Sequence, residues 1–235
     1  MSFTGGTMPA RELTAAQRRE MWELLDRHFE GVRPDDFEAD LAEKNWVVAA
    51  WDEAGALVGF STLLLYRSAA AGATRWILFS GDTIAAPRAW RSPIPVRTWL
   101  RGVLGLAAQV GADPLDWFLL SSGHRTYRIM TTLFREYHPS KAGDLPGHSA
   151  RLAAYARERF GPAFEEARGV VRLPRSVHRL RPGVGEVTPA RLADPDVAFF
   201  AARNPGHAHG DELSCLCEIS ERNLTAAGRR LLGRT

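Results

Sequence analysis

Apolar positions early in the chain recur with the period of a helix. Trp22, Leu25, Phe29 and Val32 share one face of residues 13–32, with Thr14 placed to cap the start and Gly31 and Pro34 to stop it. The segment PDDFEADLAEK predicts a second, short helix whose acids crowd the first turn, where the helix dipole favours them. The period then shortens. NWVVAAWDEAGALVGFSTLLLYR reads as two strands around a turn at residues 52–55, and TRWILFSGDTIAAP as a third, central strand. Helices are predicted over 96–109, 124–137, 150–160, 196–203 and 224–232. LDWFLLSS is a compact apolar run of the kind buried on both faces, and GVVRLP and ELSCLCEI are later strands. The order implies a mixed α/β fold. Antiparallel strands come first, and a strand–helix–strand crossover then makes two neighbouring strands parallel. Such a pair can splay and leave a slot bordered by open backbone groups and a helix N-terminus.

Composition changes this picture little. Of 235 residues, 45% are hydrophobic and 24% charged, which suits a globular domain with an appended segment. Residues 10–140 form the expected core and 145–235 an extension that completes the sheet, divided near HPSKAGDLPGHS. No apolar run reaches the roughly 20 residues of a membrane span. The first residues lack the apolar core of a secretory signal, and Cys215 and Cys217 sit too close for an ordinary disulfide, so a reduced, cytoplasmic location is expected. Charge matters more by distribution than by its sum of +3. Four arginines and no acid lie between Arg88 and Arg101, five between Arg168 and Arg181, and four in the tail RNLTAAGRRLLGRT. Clustered arginine suits phosphate, because its planar fork gives paired hydrogen bonds to one anion.

Candidate chemistry begins at Asp82. A carboxylate inside an apolar strand is costly to bury, and Gly81 beside it predicts a bulge or a close backbone approach. Asp82 is therefore the first candidate for a proton acceptor or amine anchor. His124, opening a helix after a buried strand, is a possible proton relay or substrate contact. His207, His209, Cys215 and Cys217 alternate in pairs, but their spacing is not a familiar zinc pattern, and no metal is expected.

The order of elements resembles the GNAT superfamily of N-acyltransferases over roughly residues 10–140. The telling stretch is SGDTIAAPRAWRSPIPVRTWLRGVLGLAAQ, where Arg91 fills the arginine position of the family's strand-to-helix turn. Its glycine positions fall on Ile94 and Val96, with Pro93 and Pro95 between, and Pro95 has no N–H. The resemblance implies an acyl group carried on a phosphopantetheine thioester, coenzyme A or acyl carrier protein, and delivered to a small-molecule amine. With the glycines gone, Arg88, Arg91 and Arg97 would hold the donor's anionic end. The backbone of Thr83, Ile84, Ala85 and Ala86 would pair with the pantetheine amides. In DWFLLSSGHRTYRIMTTLFREYHP the family's thiol-protonating Tyr position is Phe134, which leaves Tyr127 or Tyr137 as substitutes. On this reading Asp82, Tyr127 and Ser121 handle protons and acceptor, while Ser80, Ser122 and His124 line the substrate side. The degenerate turn and late extension are similar to an outlying branch that includes acyl-homoserine-lactone and long-chain N-acyl amino acid synthases. Two rivals remain open here: an aminoacyl-tRNA-dependent transferase, which the basic clusters favour, and a non-catalytic binding module, which the missing glycines and tyrosine favour.

Overall fold

The computed structural model describes residues 3–173 and 178–233; Arg175 and Arg234 of the basic clusters lie outside them. In chain order the elements are β1 (Phe3–Pro9), α1 (Ala15–Asp26), β2 (Phe29–Glu30), α2 (Pro34–Ala42), β3 (Trp46–Asp52), β4 (Leu57–Ser68), β5 (Arg75–Ala85), α3 (Ile94–Gln109), β6 (Leu115–Ser121) and α4 (His124–Leu133). They continue as β7 (Tyr137–His138), α5 (His148–Phe160), β8 (Phe164–Glu165), β9 (Val170–Val171), β10 (Arg179–Leu180), α6 (Pro195–Arg203), β11 (Glu212–Ile219) and α7 (Ala226–Leu231). Short 3-10 turns join several of them, including Pro87–Ala89 before α3.

Local chemistry explains the boundaries. Thr14 caps α1 with a full capping box: its hydroxyl accepts from the Gln17 N–H and the Gln17 amide oxygen accepts from the Thr14 N–H. α1 stops at Asp26, short of the expected residue 32, because Phe29–Glu30 turns extended and pairs with Arg179–Leu180. α4 stops at Leu133 rather than 137. The next residues run extended, with the Arg135 N–H bonded to the Asn223 carbonyl and the Glu136 N–H to Asn223 Oδ1.

Among the described residues a nine-stranded sheet runs β1-β3-β4-β5-β6-β11-β9-β8, with β7 on β11; β10 and β2 form a separate ribbon. Residues from both sides of the expected 140–145 boundary share the large sheet. β5 and β6 are parallel and the other neighbours antiparallel, so the fold is mixed α/β, with helices on both sheet faces. One core joins β4–β6 and β11 to α3, α4 and α6; a second joins the sheet to α1 and α2; a third packs Ile77, Phe79, Phe118 and Leu216 under α5.

Two irregularities position everything that follows. The parallel pairing of β5 and β6 runs from Ile77–Asp116 to Ser80–Leu119 and ends there. Beyond it β5 stays on β4 as far as Ala85, while β6 stays on β11 as far as Ser121, so the two strands part. At the same place β5 carries a bulge. Ser61 faces Thr83 and Leu63 faces Ser80, leaving Gly81 and Asp82 opposite Thr62 alone. Side chains alternate faces along a strand, so one extra residue swaps the face of all that follow. Leu78 points to the α3 core and Ile77 and Phe79 to the α5 core; after the bulge, Ile84 and Ala86 face α1 and α2. Asp82 shares their face. Without the bulge it would point into the packing around Trp99 and Trp117.

Candidate active site

A cavity of about 750 Å³ opens where β5 and β6 part. Its walls include Asp40 of α2, the end of β5 from Phe79 to Ala85, Trp90 before α3, the turn from Ser122 to Thr126, and Glu212 at the start of β11. Five carboxylates line it, and three of them, Asp40, Asp82 and Glu212, come from three elements and act on one another.

Lys44 organises this acidic end. Its side chain is fully buried, its Nζ donates to Asp40 Oδ1 at 2.6 Å and to the Asp40 carbonyl at 3.0 Å, and it lies over the Phe79 ring. Gly81 makes the approach possible: a Cβ there would lie 2.6 Å from Thr62 Oγ1 and 2.7 Å from Lys44 Cε. Burial in this water-poor site pushes the Asp82 carboxyl up to about 7, the Asp40 charge adds to the rise, Lys44 opposes it, and Glu212 raises it further. Burial also raises Glu212, against a hydrogen bond from the Ser122 hydroxyl to Glu212 Oε1. An acid poised near neutrality beside ionisable neighbours suits a group that takes up and releases a proton.

The remaining predicted residues divide between cavity and core. Ser80, Thr83, Ile84, Ala85, Ser122 and His124 line the cavity with Asp82. Within that set Ser80 Oγ accepts from the Trp117 indole N–H at 2.8 Å, and the Thr83 hydroxyl bonds Ser61. Ser121 and Tyr127 do not line it. Ser121 is fully buried with its hydroxyl donating to the Gly123 carbonyl. Tyr127 lies in the α4–α6 core, its hydroxyl donating to the Pro139 carbonyl at 2.9 Å, among Tyr137, Phe199 and Phe200. Burial raises its phenol well above the ordinary value. The reason is parity: Ser121 shares the face of Trp117 and Leu119, away from the acids. The backbone expectation also narrows. The Ala86 N–H bonds the Val58 carbonyl, so that residue faces β4, and Ile84, two before it, faces the same way. Thr83 and Ala85 are turned to the slot, where the Ala85 carbonyl already receives the Trp90 indole N–H at 2.6 Å and approaches His28 Nε2 at 3.2 Å.

None of Arg88, Arg91 and Arg97 lines the cavity. The 3-10 turn at Pro87–Ala89 throws Arg88 toward the β3–β4 turn, where it pairs with Asp52 at 3.1 Å. Arg91 is exposed and Arg97 half-buried on α3. The start of α3 offers few free donors: the Ile94 N–H is held by Ser92 Oγ, Pro95 has none, and the Arg97 N–H returns to the Pro93 carbonyl. The later basic cluster is largely neutralised, with Arg168 on Glu165, Arg172 on Glu165 and Asp211, Arg179 on Glu30 and Arg181 on Asp26. Cys215 and Cys217 are free thiols buried in the core, and His207 bonds the Asn204 carbonyl. Among the described residues no group of three or more His, Cys, Asp or Glu could hold a metal ion. None of their helices is long and apolar enough to cross a membrane.

Sequence reading missed Asp40, Lys44, Glu212, Trp90, Arg125 and Arg191. Asp40 sits in an amphipathic helix, where acids are ordinarily solvated. Glu212 carried a legible signal, an acid opening the apolar run ELSCLCEI, of the same kind that singled out Asp82.

Fold and cavity define the class: a mixed α/β protein with a ligand-sized chamber entering its sheet between two diverging parallel strands. Among solved structures the chain is similar to a probable N-acyltransferase from Enterococcus faecalis V583 at 16% identity and TM-score 0.43, covering 55% of this chain and 31% of that one. It is similar to a GNAT family N-acetyltransferase from Escherichia coli in complex with CoA, at 13% identity and TM-score 0.41, covering 55% and 69%. An acetyltransferase of the GNAT family from Staphylococcus aureus MU50 is similar at 14% identity and TM-score 0.42, covering 62% and 91%. The chain thus spans about a third of the Enterococcus structure. No family model matches it, and no curated protein does. At these identities the likeness does not reach to activity.

Proposed function

We propose that the protein is an N-acyltransferase that moves an acyl group from a phosphopantetheine thioester to the amine of a small molecule. One observation carries the reading: a titratable carboxyl, Asp82, stands at the mouth of a gap between parallel strands, inside a cavity that Asp40 and Glu212 also line. The acids attract the acceptor as an ammonium ion. Asp82 takes its proton, and the freed amine attacks the thioester carbonyl. A C–N bond forms and the C–S bond breaks. The sulfur leaves as a thiolate, whose ordinary pKa of about 8.5 makes it a competent leaving group without a strong acid, and it takes up the second proton, which the nitrogen sheds on becoming an amide. Backbone N–H groups on the slot side of β5, at Thr83 and Ala85, are the donors available to the carbonyl oxygen. Pairing of Arg168, Arg172, Arg179 and Arg181 with nearby acids weakens one of the features that favoured a tRNA-borne donor.

The test is thiol release and amide formation, followed by mass spectrometry. Short- and long-chain acyl-coenzyme A and acylated carrier protein serve as donors, and mono- and diamines as acceptors. Amine-dependent thiol release is expected, falling by about 10²- to 10⁴-fold in Asp82→Asn. A folded protein that releases no thiol with any pair would overturn the proposal.

A further inference from the structure

Arginines also border the cavity. Arg125 and Arg191 both line it. Neither has a carboxylate within 4.0 Å among the described residues, although most arginines in this chain are paired. Arg125 lies flat on the Trp90 ring at 3.6 Å from its centre, and its Nε reaches only the Val184 carbonyl, at 3.4 Å. Arg191 Nη1 donates to His124 Nε2 at 2.7 Å, so the imidazole is neutral. His124 is 3% exposed, and its Nδ1 approaches the Gly185 backbone without meeting hydrogen-bond geometry. Burial, then Arg191 and Arg125, lower this histidine to about 4, with His207 adding slightly. His124 and Arg125 open the ten-residue helix α4, whose N-cap, Gly123, supplies no side-chain hydrogen bond, and Arg191 comes from the 3-10 turn Arg191–Ala193. The groups acting on Asp82 are Asp40, Lys44 and Glu212, and neither arginine is among them; Asp194, which also lines the cavity, is paired with Arg128 at 3.1 Å.

We infer that Arg125, at the uncapped start of α4, and Arg191, reaching it from the 3-10 turn before α6, form a phosphate-binding site inside the cavity. Two guanidiniums with a neutral histidine present two positive charges, which a phosphate dianion or diphosphate balances and a single carboxylate does not. The free N–H groups of a helix start add to the attraction. The Trp90 face holds Arg125 across the gap between the two diverging strands, ready to turn its fork toward an anion. The phosphate belongs either to the thioester donor or to a phosphorylated acceptor; that second choice rests on the acyl-transfer reading, whereas the site itself does not.

The experiment uses pyrophosphate and the full chain, with no thioester or amine present, so its outcome is independent of acyl transfer. Calorimetry should show saturable binding, weakened about tenfold or more in Arg125→Gln and in Arg191→Gln with melting temperatures retained. In the wild type, NMR titration should show the His124 imidazole gaining its proton at higher pH once pyrophosphate is bound. That readout stands even if a variant fails to fold. Coenzyme A displacing pyrophosphate, with unphosphorylated pantetheine inert, assigns the phosphate to the donor; simultaneous binding of coenzyme A and pyrophosphate assigns it to the acceptor. Absence of pyrophosphate binding with His124 unmoved, or equal binding by folded arginine variants, would overturn the inference.

Discussion

Asp82 illustrates how one residue couples stability to activity. Its carboxyl titrates near 7 in the folded protein, against about 3.9 in an unfolded chain. The folded state therefore holds its proton more tightly. The stability this confers is fully present below the unfolded value and is lost as pH rises through about 7. Asp82→Asn removes the ionisation, so the variant should gain melting temperature relative to wild type as pH is raised from 4 to 8; a constant difference across that range would show Asp82 to be unperturbed. Activity should run the other way. If Asp82 is the base of the proposed acyl transfer, it works only when ionised, and kcat/KM should climb with pH through about 7. Asp82 stood out in the sequence because a carboxylate beside glycine in an apolar strand is costly to bury unpaired. The arginines of the strand-to-helix turn were misleading because residue type does not tell which way a turn throws a side chain. Arg88 answers to Asp52, a partner 36 positions earlier that only the fold brings near.

Elements were readable where a period was long, and opaque where packing overrode composition. The helices and the strands β3–β6 and β11 stand close to the predicted positions. β1 went unseen because FTGGTMP is rich in glycine and reads as a loop. Its glycine has a packing reason. A Cβ on Gly5 would lie 2.5 Å from Thr98 Oγ1 of α3, and a Cβ on Gly102 of α3 would lie 2.3 Å from Thr7 Oγ1 of β1. The helix settles on the edge strand through both absences. Gly102→Ala sets two effects against each other. Helix propensity favours alanine by about 1 kcal/mol, while forcing a methyl into a packed contact costs about 1–3 kcal/mol. Overlap should win, and denaturant unfolding should show Gly102→Ala to be less stable by about 1 kcal/mol. A stabilised variant would mean that β1 yields easily. The bulge at Gly81 follows the same logic with a functional consequence, since it sets the face on which Asp82 appears.

Within the large sheet, the widest separation in sequence joins β6 to β11. Leu119 faces Cys215 and Trp117 faces Cys217, strands nearly a hundred residues apart in sequence, and α4 to α6 lie between them along the chain. This pairing decides whether the first 144 residues are a unit. In their absence β6 would keep its parallel neighbour over only four residue pairs, and its other edge, in the apolar run from Leu115 to Leu120, would be bare. Unpaired apolar edges drive association. The third carboxylate, Glu212, and Arg191 would also be gone from the cavity. A chain ending at residue 144 should therefore aggregate, or lose the cooperative melt of the full protein, and bind neither amine nor phosphate. Circular dichroism and sedimentation on both chains make the comparison. If the short chain were monomeric and melted like the long one, the late segment would be an accessory rather than a necessary wall of the cavity.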